Sequence, residues 1–114
     1  MYSIFGSVIA AISTPRGKGG IAVIRMSGDG SIAIGEKFIF PKSGKPLSAV
    51  KSNYAALCDV KNADGTTLDE AVVTVFRAPH SFTGEDTVEI SCHGGVLLSS
   101  RVLSRAFECG AVQA

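Results

Sequence analysis

The sequence lacks the features that would declare a function from composition alone. Its three cysteines, Cys58, Cys92 and Cys109, are odd in number and widely spaced. That argues against a disulfide framework and against paired zinc-ligand spacing, and it fits a reducing, cytoplasmic setting. Charge of one sign is also missing: 11 basic side chains face 10 acidic ones, for a net charge of +1, so there is no broad electrostatic footprint for nucleic acid or an anionic membrane. The opening "MYSIFGSVIAAIS" is apolar but has no basic residue ahead of it, which leaves the pattern of a secretory signal incomplete. No stretch is long enough to span a bilayer, so no membrane association is expected. Internal repeats and low-complexity tracts are absent as well.

What remains is a chain of 114 residues with 46% hydrophobic and 18% charged side chains and a mean hydropathy of +0.30. That length supports one domain, residues 1–114, with a single core. The positive hydropathy suggests apolar surface left over for a partner.

Two β-prone runs, "SVIAAIS" and "IAVIRMS", flank the Pro- and Gly-punctuated loop "TPRGKGG" and read as strands. "SGDGSIAIGEKFIF" offers Ser and Asp as caps ahead of Ile32, Ile34 and Phe38, which predicts a short helix weakened by Gly35. "PKSGKPLSAVKS" reads as a surface loop. "NYAALCDV" and "LDEAVVTVF" flank "KNADGTT", where Asp64-Gly65 suits a tight hairpin turn. In "TVEISC" the alternation puts Val88, Ile90 and Cys92 on one face and Thr87, Glu89 and Ser91 on the other. From Val96 the period changes: Leu98, Val102, Leu103, Ala106 and Phe107 recur at helical spacing, and Gly110 stands where a helix commonly stops. "AVQA" reads as the start of a strand. The predicted class is α+β, with a mixed sheet and two main helices.

The stretch "SFTGEDTVEISCHGG" gathers most of the chemistry-bearing side chains. Cys92 and His93 are adjacent, so in a strand they point to opposite faces and cannot act as nucleophile and base. A cysteine-hydrolase reading would need His80, with no third residue to orient it; the alternative is a small buried thiol. Glu89 interrupts an apolar and hydroxyl-bearing strand, either as a carboxylate that accepts paired hydrogen bonds from a ligand edge or as part of a solvated outer face. Arg25, at the end of an apolar strand, either binds an acceptor or caps a surface. Glu85 and Asp86 are expected to stabilise the turn after Gly84. In the first glycine loop, Gly19 stands where a P-loop needs Ser or Thr and Ile12 where it needs its first Gly. This is no nucleotide-phosphate loop; its glycines serve a close backbone approach or a tight turn.

Taken together, "TPRGKGGIAVIRMSG", "DGTTLDEAVVTVFRAPHSFTGEDTVEISCHGG" and the helix that follows closely resemble the N-terminal domain of the tRNA-modifying GTPases MnmE, also called TrmE, over essentially the whole chain. The resemblance implies a domain that binds a tetrahydrofolate derivative (5-formyl- or 5,10-methylene-) and dimerises, with a fold like the folate-binding domain of aminomethyltransferases. It implies a parent protein that acts with the flavoprotein MnmG (GidA) on carbon 5 of the wobble uridine of tRNA, in the cytoplasm, with folate supplying a one-carbon unit. The folate-contacting arginine and glutamate of the family fall on Arg25 and Glu89. Gly19, Gly20, Cys92, His93, Gly94 and Gly95 become candidate pocket-lining residues, with the helix N-terminus facing the ligand.

The departures are Arg16 and Lys18 in the first loop, His80 where Asn is usual and Val96 where Pro is common. The resemblance also implies a downstream lysine, helical and GTPase domains with their GTP, magnesium and potassium, and a C-terminal catalytic cysteine that none of Cys58, Cys92 and Cys109 matches. The chain is therefore expected to be a fragment with no GTPase activity and no catalytic or metal-ligating residue of its own. The alternative is a structural homodimerisation module without folate binding.

Overall fold

The computed structural model of the chain describes residues 7–13, 20–79 and 84–113. These form an α+β fold: β1 (Ile9–Ile12), β2 (Ile21–Ser27), α1 (Ser31–Gly35), β3 (Ile39–Pro41), a 3-10 turn (Leu47–Ala49), β4 (Ala55–Lys61), β5 (Thr67–Phe76), β6 (Thr87–His93), α2 (Val96–Glu108) and β7 (Val112–Gln113). The seven strands make one mixed sheet in the order β3-β4-β5-β6-β2-β1-β7. All pairings are antiparallel except β1 with β7, which run parallel.

Period-2 alternation gives the sheet two unlike faces. Ala22, Ile24 and Met26 of β2, Val73 and Val75 of β5, and Val88, Ile90 and Cys92 of β6 point into the core. There they meet α2, whose Ser99, Val102 and Ala106 are buried at the i, i+3, i+7 spacing of one helix face. The helix stops as the sequence indicates. Gly110 has φ +124°, its N–H donates to the carbonyl of Phe107, and the N–H of Ala111 reaches back to that of Ala106, the Schellman arrangement that only a residue tolerant of positive φ completes cheaply. In the β4–β5 hairpin Gly65 likewise has φ +90°, and Asp64 accepts hydrogen bonds from the N–H and hydroxyl of Thr66, which closes the expected turn. Asp86 ties the loop before β6 to the end of β5, accepting from the N–H of Ala78 at 2.9 Å.

The region 28–50 differs from its sequence reading. No side chain caps α1; Gly30 occupies that position, while Ser31 is buried with its hydroxyl unpartnered. The helix ends at Gly35, so Phe38 lies beyond it, buried beside Ile39 of β3. Part of the expected surface loop forms the 3-10 turn, which anchors Leu47 in the core. Among the described residues no helix is long and apolar enough to cross a membrane.

Candidate functional site: an ion pair on the open sheet face

Among the described residues, helices cover one face of the sheet, and the other carries the half-exposed side chains of β2, β4, β5 and β6. Arg25 and Glu89 sit there directly opposite each other in the β2–β6 register, with Thr74 of β5 on the far side of Glu89. Strand alternation places them: the neighbours Ile24, Met26, Val88 and Ile90 all face the core. Nε and Nη2 of Arg25 both donate to Oε2 of Glu89, at 2.9 and 2.5 Å. The two side chains retain 31% and 25% of their exposure, enough to be reached and too little to be fully screened.

Because both donors converge on Oε2, Oε1 of Glu89 accepts no hydrogen bond from a described residue. The pair thus presents a fixed carboxylate oxygen beside a guanidinium on a partly apolar surface. A carboxylate held in this way can accept from an amidine-like edge, and the neighbouring cation can meet a carbonyl or carboxylate oxygen.

Further along the same face a shallow pocket of about 200 Å³ is lined by Ile21, Leu57, Glu70, Val72, Ser91, Cys92 and His93. Ile21 and Leu57 are 65% and 52% exposed. The carboxylate of Glu70 is held by Lys42 at 2.7 Å, which also bonds Asp59 at 2.9 Å.

The other sequence-derived candidates have distinct places. Cys92 is buried with its thiol against the carbonyl of Ala22; burial, with the nearby charge of Asp69, pushes its pKa up to about 11. That thiol faces the core and makes a poor nucleophile. His93 lies on the opposite side, as the alternation requires, with its side chain 70% exposed. The N–H of Gly94 donates to the carbonyl of Gly20 at 2.8 Å, so this pair extends the β2–β6 ladder rather than offering a free donor. Gly95 precedes α2, which has no side-chain cap. Gly19, His80, Arg16 and Lys18 lie outside the described residues.

Asp69 is a residue that the motifs do not indicate. Its Oδ2 accepts from the backbone N–H of His93 at 2.9 Å and its Oδ1 lies 2.7 Å from Nδ1 of the same residue. The two residues are 24 positions apart, and only the register of β5 against β6 brings them together.

Residues 8–114 match the family described as the GTP-binding protein TrmE N-terminus. The chain is 48% identical over 106 residues to the tRNA modification GTPase MnmE of Psychrobacter cryohalolentis, covering 93% of this chain and 21% of the relative. It is 48% identical over 104 residues to the protein of the same name from Moorella thermoacetica, covering 90% and 22%, and 49% identical over 102 residues to that of Acholeplasma laidlawii, again 90% and 22%. The chain therefore spans about a fifth of the length of these relatives. A family match over residues 8–114, with relatives at this identity over nearly every residue, means that the chain belongs to the family of TrmE N-terminal domains.

Proposed function

We propose that the open face binds a tetrahydrofolate derivative, with Glu89 and Arg25 as its polar contacts, and that the domain does so within a GTPase that modifies tRNA. The observation that carries the reading is the Arg25–Glu89 pair, whose geometry leaves Oε1 of Glu89 as an acceptor. A reduced pterin is flat and bears an N–H beside an amino group, which suits that oxygen, and a ring carbonyl, which suits the guanidinium. Val72 and Ile21, both exposed, supply apolar surface for a ring system, so the residues present fit the group. Bound folate would bring a one-carbon unit. The further steps of this reading, partnership with the flavoprotein MnmG at carbon 5 of a wobble uridine in the cytoplasm, rest on the family relationship.

Calorimetric titration with 5-formyltetrahydrofolate tests the assignment. Glu89→Ala is expected to weaken binding by about ten- to a hundredfold, the effect of one lost charge-assisted hydrogen bond, whereas Glu85→Ala leaves it nearly unchanged. Equal losses would mean that the wrong carboxylate has been assigned.

A second reading, a homodimerisation surface, is favoured by the apolar side chains exposed on the same face, Ile21, Leu57 and Val72. Self-association that is insensitive to folate, in a chain that binds none, would favour it.

A further inference from the structure

The contact between Asp69 and His93 gives the pocket beside the ion pair a defined polarity. The side chain of Asp69 is only 9% exposed and both its oxygens engage one residue, the backbone N–H and Nδ1 of His93. An ionised carboxylate only accepts hydrogen bonds, so the contact at 2.7 Å requires the proton on Nδ1. In the neutral ring Nε2 is then the nitrogen with a lone pair, on a side chain that is otherwise largely exposed and lines the pocket. The other charged group there, Glu70, is already held by Lys42, and the remaining lining is the hydroxyl-bearing Ser91, Cys92 and the apolar Ile21, Leu57 and Val72.

His93 follows Glu89 by four residues on the same face of β6, a separation of about 13 Å along an extended strand. A ligand of two ring systems spans that distance. We infer that Asp69 is a positioning residue of the open-face site, which holds His93 as an Nε2 acceptor for an N–H or O–H group of the ligand at the end remote from Arg25 and Glu89. The inference rests on the reading of this face as a folate site, and it adds a second polar contact and a tautomer to it.

Nitrogen-15 spectra of the histidine rings in the 114-residue chain, taken near pH 8 with His93→Gln as the assignment control, read the tautomer without any ligand. The expected form is Nδ1–H with bare Nε2, shifting toward Nε2–H in Asp69→Asn. A wild-type ring in the Nε2–H form overturns the inference. Titration with 5-formyltetrahydrofolate then reads the contact. His93→Asn, which cannot place an acceptor at the Nε2 position, is expected to weaken binding about tenfold, and His93→Gln, which can, to restore most of it. Asp69→Asn should resemble His93→Asn, and because His93 is exposed its variants test the contact even if the Asp69 variant unfolds. Wild-type binding that survives both His93 variants unchanged sinks the role of His93 and leaves the folate reading standing. No binding by the wild-type chain overturns both, and is recognised by Glu89→Ala being equally silent.

Discussion

Adjacent side chains of β6 have opposite chemical fates because the strand alternates: Cys92 is sealed beneath the sheet, while Glu89 and His93 stand above it. Burial raises the thiol pKa of both Cys58 and Cys92 from an ordinary 9.0 to about 11. A folded-state value above the unfolded one means that the native chain holds these protons longer. Their stabilising effect is therefore complete below about pH 9 and is lost as pH rises toward 11. Thermal unfolding followed from pH 8 to 11 should show a steeper fall for the wild type than for the Cys58→Ala/Cys92→Ala double variant, by on the order of 1–3 kcal/mol per thiol. Parallel curves would show that the thiols ionise without penalty. At this scale the sequence was informative about single residues and silent about pairs. Arg25 and Glu89 each stand out as charges in apolar strands, yet they are 64 positions apart, and neither their mutual bond nor that of Asp69 with His93 leaves a local signal.

At the scale of elements, legibility followed periodicity. The β4–β5 hairpin, β6 and α2 each carry a sustained period and a turn or stop residue, and they form where expected, with a register shift in the hairpin only at Val60/Lys61. The segment from Ser31 to Pro41 does not. Phe38 lies four residues beyond Ile34, a helical spacing, whereas β3 is only three residues long and its Ile39, Phe40 and Pro41 are all apolar, so the buried-exposed-buried pattern it adopts has no counterpart in the sequence. Gly35, the last residue of α1, is packed tightly: a Cβ on it would stand 2.8 Å from Cδ2 of Leu47 and 3.4 Å from Ile39 and Met26. Gly35 is therefore a packing residue, and its substitution should hurt even though alanine is the better helix former. Gly35→Ala is expected to destabilise the fold by about 1–3 kcal/mol in chemical denaturation, since the buried Leu47 has little room to retreat. A neutral or stabilising effect would mean that the 3-10 turn yields readily.

For the molecule as a unit, the decisive fact is that, among the described residues, helices cover one sheet face and leave the other open. The covered face supplies the core, so the apolar residues of the open face are not needed to hold the fold. Leu57 of β4 is 52% exposed, whereas Val73 of β5 is fully buried, although both are β-strand residues in the same hairpin. Composition hinted at surplus apolar surface through the positive mean hydropathy, but only the topology, with β5, β6 and β2 at the centre of the sheet, shows where it collects. Leu57→Ser should then change stability by less than about 0.5 kcal/mol, as surface substitutions do, while Val73→Ser costs several times more through a cavity and a buried hydroxyl. If this face also joins two copies of the chain, light scattering will report a dimer for the wild type and a shift toward monomer for Leu57→Ser at equal thermal stability. Unchanged association would move the dimer contact away from Leu57, and a large loss of stability would show that the open face contributes to the fold after all.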